Sequence, residues 1–334
     1  MSNPLVSILI PAFNSERWLG EAIESALGQT WPAKEVLIVD DGSTDQTLSI
    51  AQRYASTGVS VITQENQGAS SARNKAFSLS QGEYIQWLDA DDVLAPDKIA
   101  RQMEMLLRVG TRRTLASAAF GRFRHNLNRA QFYPTSLWCD LDPTEWLIRK
   151  LTDNLFMQTA TWLVSRELAE TAGPWDTRLL GDDDGEFFCR VILASDVIRF
   201  VPEAKMFYRR TGGGSLSQIG QSAKRLEAHL VSMGLHIGYL RSLEDSERVR
   251  KACLVFLQRW LVYFYPERPD LVKQLEEHAA QLGGRLEPPT MSWKYAWIQR
   301  LFGWRSAKSA QFAYNNCKSS ILDWWDATLS RVGI

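Results

Sequence analysis

Three carboxylates fall within four positions in the stretch QWLDADDVL, residues 86–94, directly after an apolar run. Asp89, Asp91 and Asp92 repel one another when they are ionised, so their crowding requires an explanation. One explanation is a bound divalent cation, because Mg²⁺ and Mn²⁺ prefer oxygen ligands. The other is an acidic loop that caps the following helix. These residues alone leave both explanations open.

Two further acidic groups follow apolar or glycine-containing segments. Asp40 and Asp41 end the run EVLIVDD, and the stretch LLGDDDGEFFCRV, residues 179–191, crowds three aspartates and Glu186 together. Carboxylates at the start of a helix are favoured by the helix dipole, so the second group has a purely structural explanation as well. Catalysis by one of its carboxylates is compatible with that explanation.

The elements that must position these groups alternate along the first hundred residues. Short apolar, β-branched runs predict strands at 6–13, 35–43, 59–64 and 83–91, and the range 35–43 includes a turn. Helical spacing predicts helices at 15–29, 43–55 and 68–80. Strands without strict alternation are typical of a parallel sheet that helices cover on both faces. Ligands bind beyond the carboxyl ends of such strands. We therefore expect both acidic strand ends to face one crevice.

The pattern changes further along the chain. Strands are predicted at 159–165 and 197–210 and helices at 143–154 and 182–195, and the chain after about residue 215 is predicted to be helical. The three predicted helices there span 222–243, 246–265 and 269–284, before a Trp-rich tail.

The motifs VSILIPAFN, VDDGSTD, NQGASSARN and WLDADD, followed by RELAETAGPWD, DDGEFFCR and VPEAKMFYRR, occur in this order. Over about the first 215 residues the chain resembles family 2 glycosyltransferases of the GT-A fold. The resemblance implies an α/β fold with a Rossmann-like, mainly parallel central sheet flanked by helices. It divides the chain into a GT-A domain, 1–215, and a helical C-terminal region, 216–334. Within the domain, 1–95 would bind the nucleotide and 96–215 the acceptor.

The resemblance places the donor's base on the end of the first strand, which comprises Pro11, Ala12, Phe13 and Asn14. Phe13 would stack on uracil, because aromatic faces stack on planar bases. Asp41, with Asp40 as the next candidate, would accept the imide N–H, since an ionised carboxylate is an acceptor only. Arg73 would line the same pocket.

Asp89, Ala90 and Asp91 match the family's D-x-D motif. The resemblance implies that Asp91 coordinates Mn²⁺ or Mg²⁺ bridging the donor diphosphate. It implies that Asp89 binds the ribose or metal-bound water. For Asp92 two roles remain open, a helix cap and a catalytic role.

The same resemblance makes Asp184 the catalytic base. It suggests acceptor or phosphate contacts for Asp183 and Glu186, and for Arg209 or Arg210 beside the glycine-rich loop 209–217. Gly185 stands where the family often has an aromatic residue, which we interpret as an enlarged acceptor pocket. His229 and His236 are interpreted as packing or surface residues.

The function implied is inverting transfer of one sugar from a nucleoside diphosphate, with UDP favoured, to a hydroxyl of a glycan or lipid-linked acceptor. Cell-surface polysaccharide or glycolipid biosynthesis is the expected setting. Two alternatives remain open, namely a sugar nucleotidyltransferase and a non-catalytic glycan-binding scaffold. The absence of G-x-G-x-x-G after the first strand disfavours a dinucleotide oxidoreductase.

Composition agrees with a neutral enzyme: 38 basic and 38 acidic residues argue against nucleic-acid binding. The four cysteines form no C-x-x-C pair, so we expect free thiols and a cytoplasmic protein. The N-terminus reads as a strand rather than a signal peptide, and no apolar run is long enough to span a membrane.

The tail, 285–334, has seven basic residues and five tryptophans. We hypothesise peripheral contact with the inner leaflet, or else packing on the core or on a second subunit in a homo-oligomer.

Overall fold

A five-stranded sheet forms the first layer of the protein. The computed structural model describes residues 3–211, 222–290 and 292–331. The strands are β1 (Val6–Ala12), β2 (Lys34–Asp40), β3 (Val59–Thr63), β4 (Tyr84–Trp87) and β8 (Val164–Ser165), in the order β3-β2-β1-β4-β8. The first four are parallel, and β8 is antiparallel to β4. The predicted, mainly parallel sheet is confirmed.

Helices α1 (Leu19–Leu27), α2 (Thr47–Arg53) and α3 (Ala69–Leu79) connect these strands. Every residue of β1 is buried, as its unbroken apolar character predicts. Helix α1 begins four residues later than predicted from the pattern. Backbone N–H groups of Ser15 and Glu16 instead donate to Thr47 Oγ1 and Asp45 Oδ2, at 2.7 and 3.2 Å, which ties this segment to the loop after β2.

A second sheet, of four strands, lies beside the first. Its strands are β5 (Val93–Leu94), β6 (Thr114–Phe123), β7 (Gln131–Phe132) and β9 (Val197–Arg209), in the order β5-β9-β6-β7. Only the long β6–β9 pair is parallel. The helices between these strands are α4 (Lys98–Val109), α5 (Pro143–Asp153), α6 (Arg166–Ala172) and α7 (Asp183–Ala194).

The strand predicted at 159–165 is mostly wrong. Thr159–Thr161 form a 3₁₀ turn, and only Val164–Ser165 pair in a sheet. The Gln158 side chain accepts the N–H of Ala160, and the Gln158 backbone carbonyl accepts the Thr161 hydroxyl, so local bonds replace the strand ladder.

Four helices complete the described chain: α8 (Ala223–Leu243), α9 (Glu247–Phe264), α10 (Pro269–Gln281) and α11 (Trp293–Arg331). Helix α8 packs on α7, and α9 packs on α5, so one apolar core joins these helices to the two sheets. Helix α11 is interrupted at Gly303, whose φ of 80° suits glycine. None of the helices in the described residues combines the length and apolar character needed to cross a membrane.

Candidate active site

The ends of β1 and β2 form one wall of the site. Pro11 and Ala12 are buried in β1, whereas Phe13 is 48% exposed just beyond it. Asn14 has a positive φ of 45°, and its Oδ1 accepts the N–H of Thr44 at 2.9 Å. This bond holds the two strand ends together and leaves the Phe13 ring at the surface.

Asp41 organises the loop that leads to α3. Its Oδ1 accepts Gln64 Nε2 and the Gln67 N–H at 2.7 and 2.9 Å, and its Oδ2 accepts the Gly68 N–H at 2.8 Å. Only Oδ2 therefore retains an obvious free acceptor position. The neighbouring Asp40 is also buried: its Oδ2 accepts the Ser43 N–H at 3.3 Å, and no described residue forms a hydrogen bond with its Oδ1.

A single guanidinium links the two acidic motifs. Arg73 on α3 donates to Asp89 Oδ1 and to Asp183 Oδ2, each at 2.8 Å, and lies 4.4 Å from the Trp175 ring centroid. Burial favours the neutral form, but the charges of Asp89 and Asp183 raise the pKa of Arg73 above its usual value. Arg73 therefore stays charged and joins motifs that are far apart in the sequence.

Asp91 differs from its two acidic neighbours. Among the described residues, no side chain donates a hydrogen bond to its carboxylate, whereas Asp89 receives Arg73 and Gln158. Burial and the charge of Asp89 raise the pKa of Asp91 to about 6. Ala90, between them, is buried. Asp91 is thus the carboxylate of this motif with the most acceptor capacity left.

Asp92 is fully buried and does not cap a helix. Its Oδ1 accepts the Arg209 N–H at 2.8 Å, and its Oδ2 accepts Gln158 Nε2. The capping position of α4 is occupied by Asp97. Burial and the charge of Asp91 raise the pKa of Asp92 well above its usual value. Asp92 therefore ties the loop after β4 to β9.

The expected phosphate contact through Arg209 is not supported by its geometry. The side chain is 1% exposed, and its Nε donates to the Asp91 carbonyl at 2.8 Å while Nη2 pairs with Glu21 at 2.5 Å. The guanidinium also stacks between Trp18 and Phe123. Arg210 is the exposed member of this pair. Residues 212–217 of the glycine-rich loop lie outside the described residues.

Asp184 lies in the first turn of α7. Its Oδ1 accepts the Gly185 N–H at 2.8 Å, and its Oδ2 is 3.4 Å from the Thr159 hydroxyl. Burial first, and then the charges of Asp183 and Asp182, raise the pKa of Asp184 to about 7. Asp184 therefore exchanges its proton near neutral pH.

Asp183 and Glu186, in the same turn, are held by internal partners. Asp183 Oδ2 accepts Ser70 Oγ at 3.0 Å in addition to Arg73. Both oxygens of Glu186 accept Arg190 at 2.7 Å, and Tyr239 donates a further bond. The acceptor contact expected for Glu186 is not supported, because this buried carboxylate is already satisfied.

Sequence reasoning missed the residues that fix the start of α7. Asp182 has a left-handed backbone, and its Oδ2 accepts Ser232 and lies 2.9 Å from His236 Nε2. Burial would raise the pKa of Asp182, but the charge and hydrogen bond of His236 lower it below its usual range. His236 Nδ1 lies 2.9 Å from the Cys189 thiol. His236, interpreted from the sequence as a packing or surface residue, is buried, and its contact with Asp182 has no local sequence signal.

Tyr208, on β9, was missed for the same reason. Burial, followed by the charges of Asp92, Asp91 and other nearby carboxylates, raises the pKa of Tyr208 to about 12. Its hydroxyl therefore stays protonated at neutral pH.

A pocket opens beside Asp184. The residues that line it are Trp146, Lys150, Phe156, Met157, Asp182, Asp184, Gly185, Phe188 and Cys189. Gly185 does line this pocket, but a second constraint explains the glycine. A Cβ atom there would lie 2.0 Å from Asp182 Oδ1, so any larger residue would displace that carboxylate. No group of three His, Cys, Asp or Glu side chains has the arrangement of a metal site in the parts of the chain described.

The overall architecture is similar to solved structures. It matches the complex of Staphylococcus aureus TarS 1–349 with UDP-GlcNAc with a TM-score of 0.67 and 19% identity, over 83% of this chain and 81% of that one. The protein therefore has the GT-A fold. Residues 7–171 match the model described as "Glycosyl transferase family 2". This segment, about half of the chain, thus belongs to glycosyltransferase family 2.

Curated relatives include an uncharacterized glycosyltransferase of Rickettsia prowazekii, 29% identical over 201 residues, or 58% of this chain and 61% of that protein. The putative teichuronic acid biosynthesis glycosyltransferase TuaG of Bacillus subtilis is 40% identical over 107 residues, or 31% of this chain and 42% of TuaG. In each case the match spans less than two thirds of the relative's own length.

Proposed function

We propose that the protein is an inverting glycosyltransferase that moves a sugar from a UDP-sugar to a hydroxyl of an acceptor. The observation that carries the proposal is the Arg73 bridge between Asp89 and Asp183. It brings Asp91, whose carboxylate receives no side-chain donor among the described residues, into the same charged cluster as Asp184, whose pKa is about 7. One carboxylate is then available to the donor side and another to the acceptor.

The donor side is supported by the exposed Phe13 ring and by the free acceptor position on Asp41 Oδ2. Phe13 stacks on the uracil ring, and Asp41 accepts the imide N–H. Arg210, which is exposed, contacts the diphosphate. The similar TarS structure contains UDP-GlcNAc, which supports UDP as the nucleotide of this chain's donor too.

A divalent cation fits the chemistry of the acidic motif. Mg²⁺ and Mn²⁺ often bind through one or two carboxylates, with phosphate oxygens and water completing the shell. Asp91 supplies a carboxylate without a side-chain donor, and Asp89 lies beside it. When bound, Mn²⁺ or Mg²⁺ stabilises the negative charge of the departing diphosphate.

Asp184 acts as the general base. It removes the proton of the acceptor hydroxyl while the oxygen attacks the anomeric carbon on the face opposite UDP. The bond from that carbon to the diphosphate oxygen breaks, UDP leaves with the bonding electrons, and the anomeric configuration inverts. A base with a pKa near the working pH suits this task. The Gly185 N–H and the Thr159 hydroxyl orient the carboxylate.

Turnover of nucleotide sugars tests the proposal. The full chain is incubated with UDP-, dTDP- and GDP-sugars and Mn²⁺, and release of the nucleoside diphosphate is measured. Release of UDP supports the transferase. A nucleotidyltransferase would instead release pyrophosphate from a nucleoside triphosphate and a sugar phosphate. Binding without turnover supports a scaffold. Asp184→Asn should abolish release but keep UDP binding, whereas Asp196→Asn, beyond the other end of α7, should behave as wild type. UDP-sugar turnover by Asp184→Asn at the wild-type rate would contradict the assignment of the base.

The acceptor is proposed to be a glycan or a lipid-linked sugar in cell-surface polysaccharide synthesis. The name of the relative TuaG, a putative glycosyltransferase of teichuronic acid biosynthesis, supports this setting. We propose a single addition per encounter. The nearest sequence to the processive family's Q-x-x-R-W is LQRW at 257–260, which has the wrong spacing.

The start of α11 supports the proposed membrane contact. Trp293, Trp297 and Leu301 recur every four residues and are 81%, 58% and 69% exposed, and Lys294 and Arg300 are exposed beside them. A helix with an apolar face and basic flanks is suited to an anionic lipid surface. We propose that this segment touches the cytoplasmic leaflet.

The rest of the tail does not share this character. Trp304 donates to the Tyr265 carbonyl at 3.2 Å, and Lys308 is buried and paired with Glu267 at 2.7 Å. These two residues therefore anchor α11 to the protein rather than to lipid. Trp324 and Trp325 lie beyond the side chains that the structure describes.

A further inference from the structure

Lys150, on α5, is a buried cation that lines the pocket beside Asp184. Lys150 is only 9% exposed. Among the described residues, its ammonium group has neither an ion-pair partner nor a hydrogen-bond partner. The other buried lysines and arginines of the described chain all have partners. They are Arg73, Lys98, Arg209 and Lys308.

Burial raises the pKa of Asp182, and the charges of His236 and Lys150 lower it, so Lys150 and this carboxylate attract each other without being in contact. No carboxylate oxygen of the described residues lies within 4.0 Å of the Lys150 ammonium. Asp182 is already engaged by Ser232 and His236, and Asp184 by the Gly185 N–H. A partly buried charge without a partner is costly, so a site that keeps one is suited to a ligand of opposite charge.

Much of the remaining lining of the pocket is apolar. Trp146, Phe156 and Phe188 line it together with Lys150 and Asp184. Apolar walls reduce the local dielectric, which strengthens an ionic contact made inside the pocket. A ligand that fills the pocket therefore meets three aromatic side chains, the charge of Lys150, the Asp182 carboxylate and the proposed base Asp184.

We propose that Lys150 binds an anionic group of the acceptor, a phosphoryl or a carboxylate group, while the acceptor hydroxyl reaches Asp184. The substrate class is thus sugars or polyols that carry negative charge, such as uronic acids or polyol phosphates, rather than neutral glycans. This inference rests on the transferase function proposed above, because it concerns the acceptor side of the same site.

Binding of small probes tests the inference. The full chain is saturated with UDP and Mn²⁺, so that the diphosphate site is filled, and is titrated by calorimetry with glycerol 3-phosphate and with glucuronic acid. Glycerol and glucose serve as the neutral counterparts. We expect an anionic probe to bind about tenfold or more tightly than its neutral counterpart, the factor that one charge-assisted hydrogen bond supplies. A preference for glycerol 3-phosphate identifies a phosphoryl group, and a preference for glucuronic acid identifies a carboxylate.

Variants connect the preference to Lys150. Lys150→Met should lose the anion preference, Lys150→Arg should retain it, and Lys273→Met, an exposed lysine on α10, should leave it unchanged. Thermal melting of each variant shows that it is folded. Equal binding of anionic and neutral probes by the wild type, absence of binding by every probe, or an unchanged preference in Lys150→Met overturns the inference.

Failure of the transferase proposal gives a different result. It is measured as absence of UDP release from every UDP-sugar, in an assay that contains none of these probes. Intact UDP release together with no anion preference refutes only the role of Lys150.

Discussion

Asp184→Asn should make the protein more stable at neutral pH while it removes activity. The folded chain keeps the Asp184 proton up to about pH 7, whereas an unfolded aspartate releases it near 3.8. The folded state therefore binds more protons than the unfolded state between these values. Stability from this group is fully present below about pH 4 and declines as the pH rises to about 7. Asparagine carries no charge and avoids that decline.

The rise in pKa from 3.8 to about 7 sets the scale of the effect. At about 1.4 kcal/mol for each pH unit, the carboxylate lowers the free energy of unfolding by at most roughly 4 kcal/mol above pH 7. Asparagine can still accept the Gly185 N–H through Oδ1, so the substitution keeps the local hydrogen bond. We expect a gain of about 1 kcal/mol or more at pH 7.5.

Urea unfolding of the wild type and of Asp184→Asn, with chelator and without nucleotide, measures this difference between pH 5 and 8.5. The gain should be smallest at pH 5, grow through pH 7 and then level off. Asp182→Asn is the matched control with the opposite sign, because His236 lowers the pKa of Asp182 and loses its partner in the variant. A pH-independent difference for Asp184→Asn, or a loss of stability at pH 7.5, would refute the reasoning.

Three further results are expected. Asp91→Asn should lose both turnover and the metal-dependent binding of UDP that calorimetry measures. Excess chelator should abolish turnover by the wild type, and full activity in chelator would remove the cation from the proposal. Gly185→Ala should lower the melting temperature by several degrees, since its Cβ meets Asp182 Oδ1, and a wild-type melting curve would contradict that clash. Replacing both Trp293 and Trp297 by Ser should abolish flotation of the full chain with anionic liposomes at low salt. Failure of the wild type to float would exclude the membrane contact. A molecular mass of the protein in solution above that of one chain would favour a homo-oligomer.

The first layer of the fold could be predicted because its information is local. Apolar β-branched runs such as VSILIPA and EVLIVD define the buried parallel strands, and acidic residues follow at their carboxyl ends. The same logic placed Asp89 and Asp91 on one edge with Asp41. The second sheet was only partly predicted: β9 was expected, whereas β6, a ten-residue strand, was not, and β5 and β7 have two residues each and depend on their partners for pairing.

The missed parts of the site are long-range contacts. The pairing of Arg73 with Asp183 and of Asp182 with His236 joins residues that no periodicity connects. The resemblance suggested Arg209 or Arg210 as a phosphate contact, but the neighbours of Arg209, Trp18 and Glu21, lie nearly two hundred residues earlier. Only the folded chain shows that these groups already satisfy one another.

The two proposed halves of the catalytic domain exchange strands. Residues 93–94, at the end of the first half, form β5 in the second sheet, while β8, from the second half, pairs with β4 at the edge of the first sheet. A fragment that stops at residue 95 would therefore expose the edge of β4 and leave β5 without its partner. We expect the halves to unfold as one cooperative unit, with no separately expressible nucleotide-binding module. Insertions that preserve this unit must then fall outside the exchanged strands.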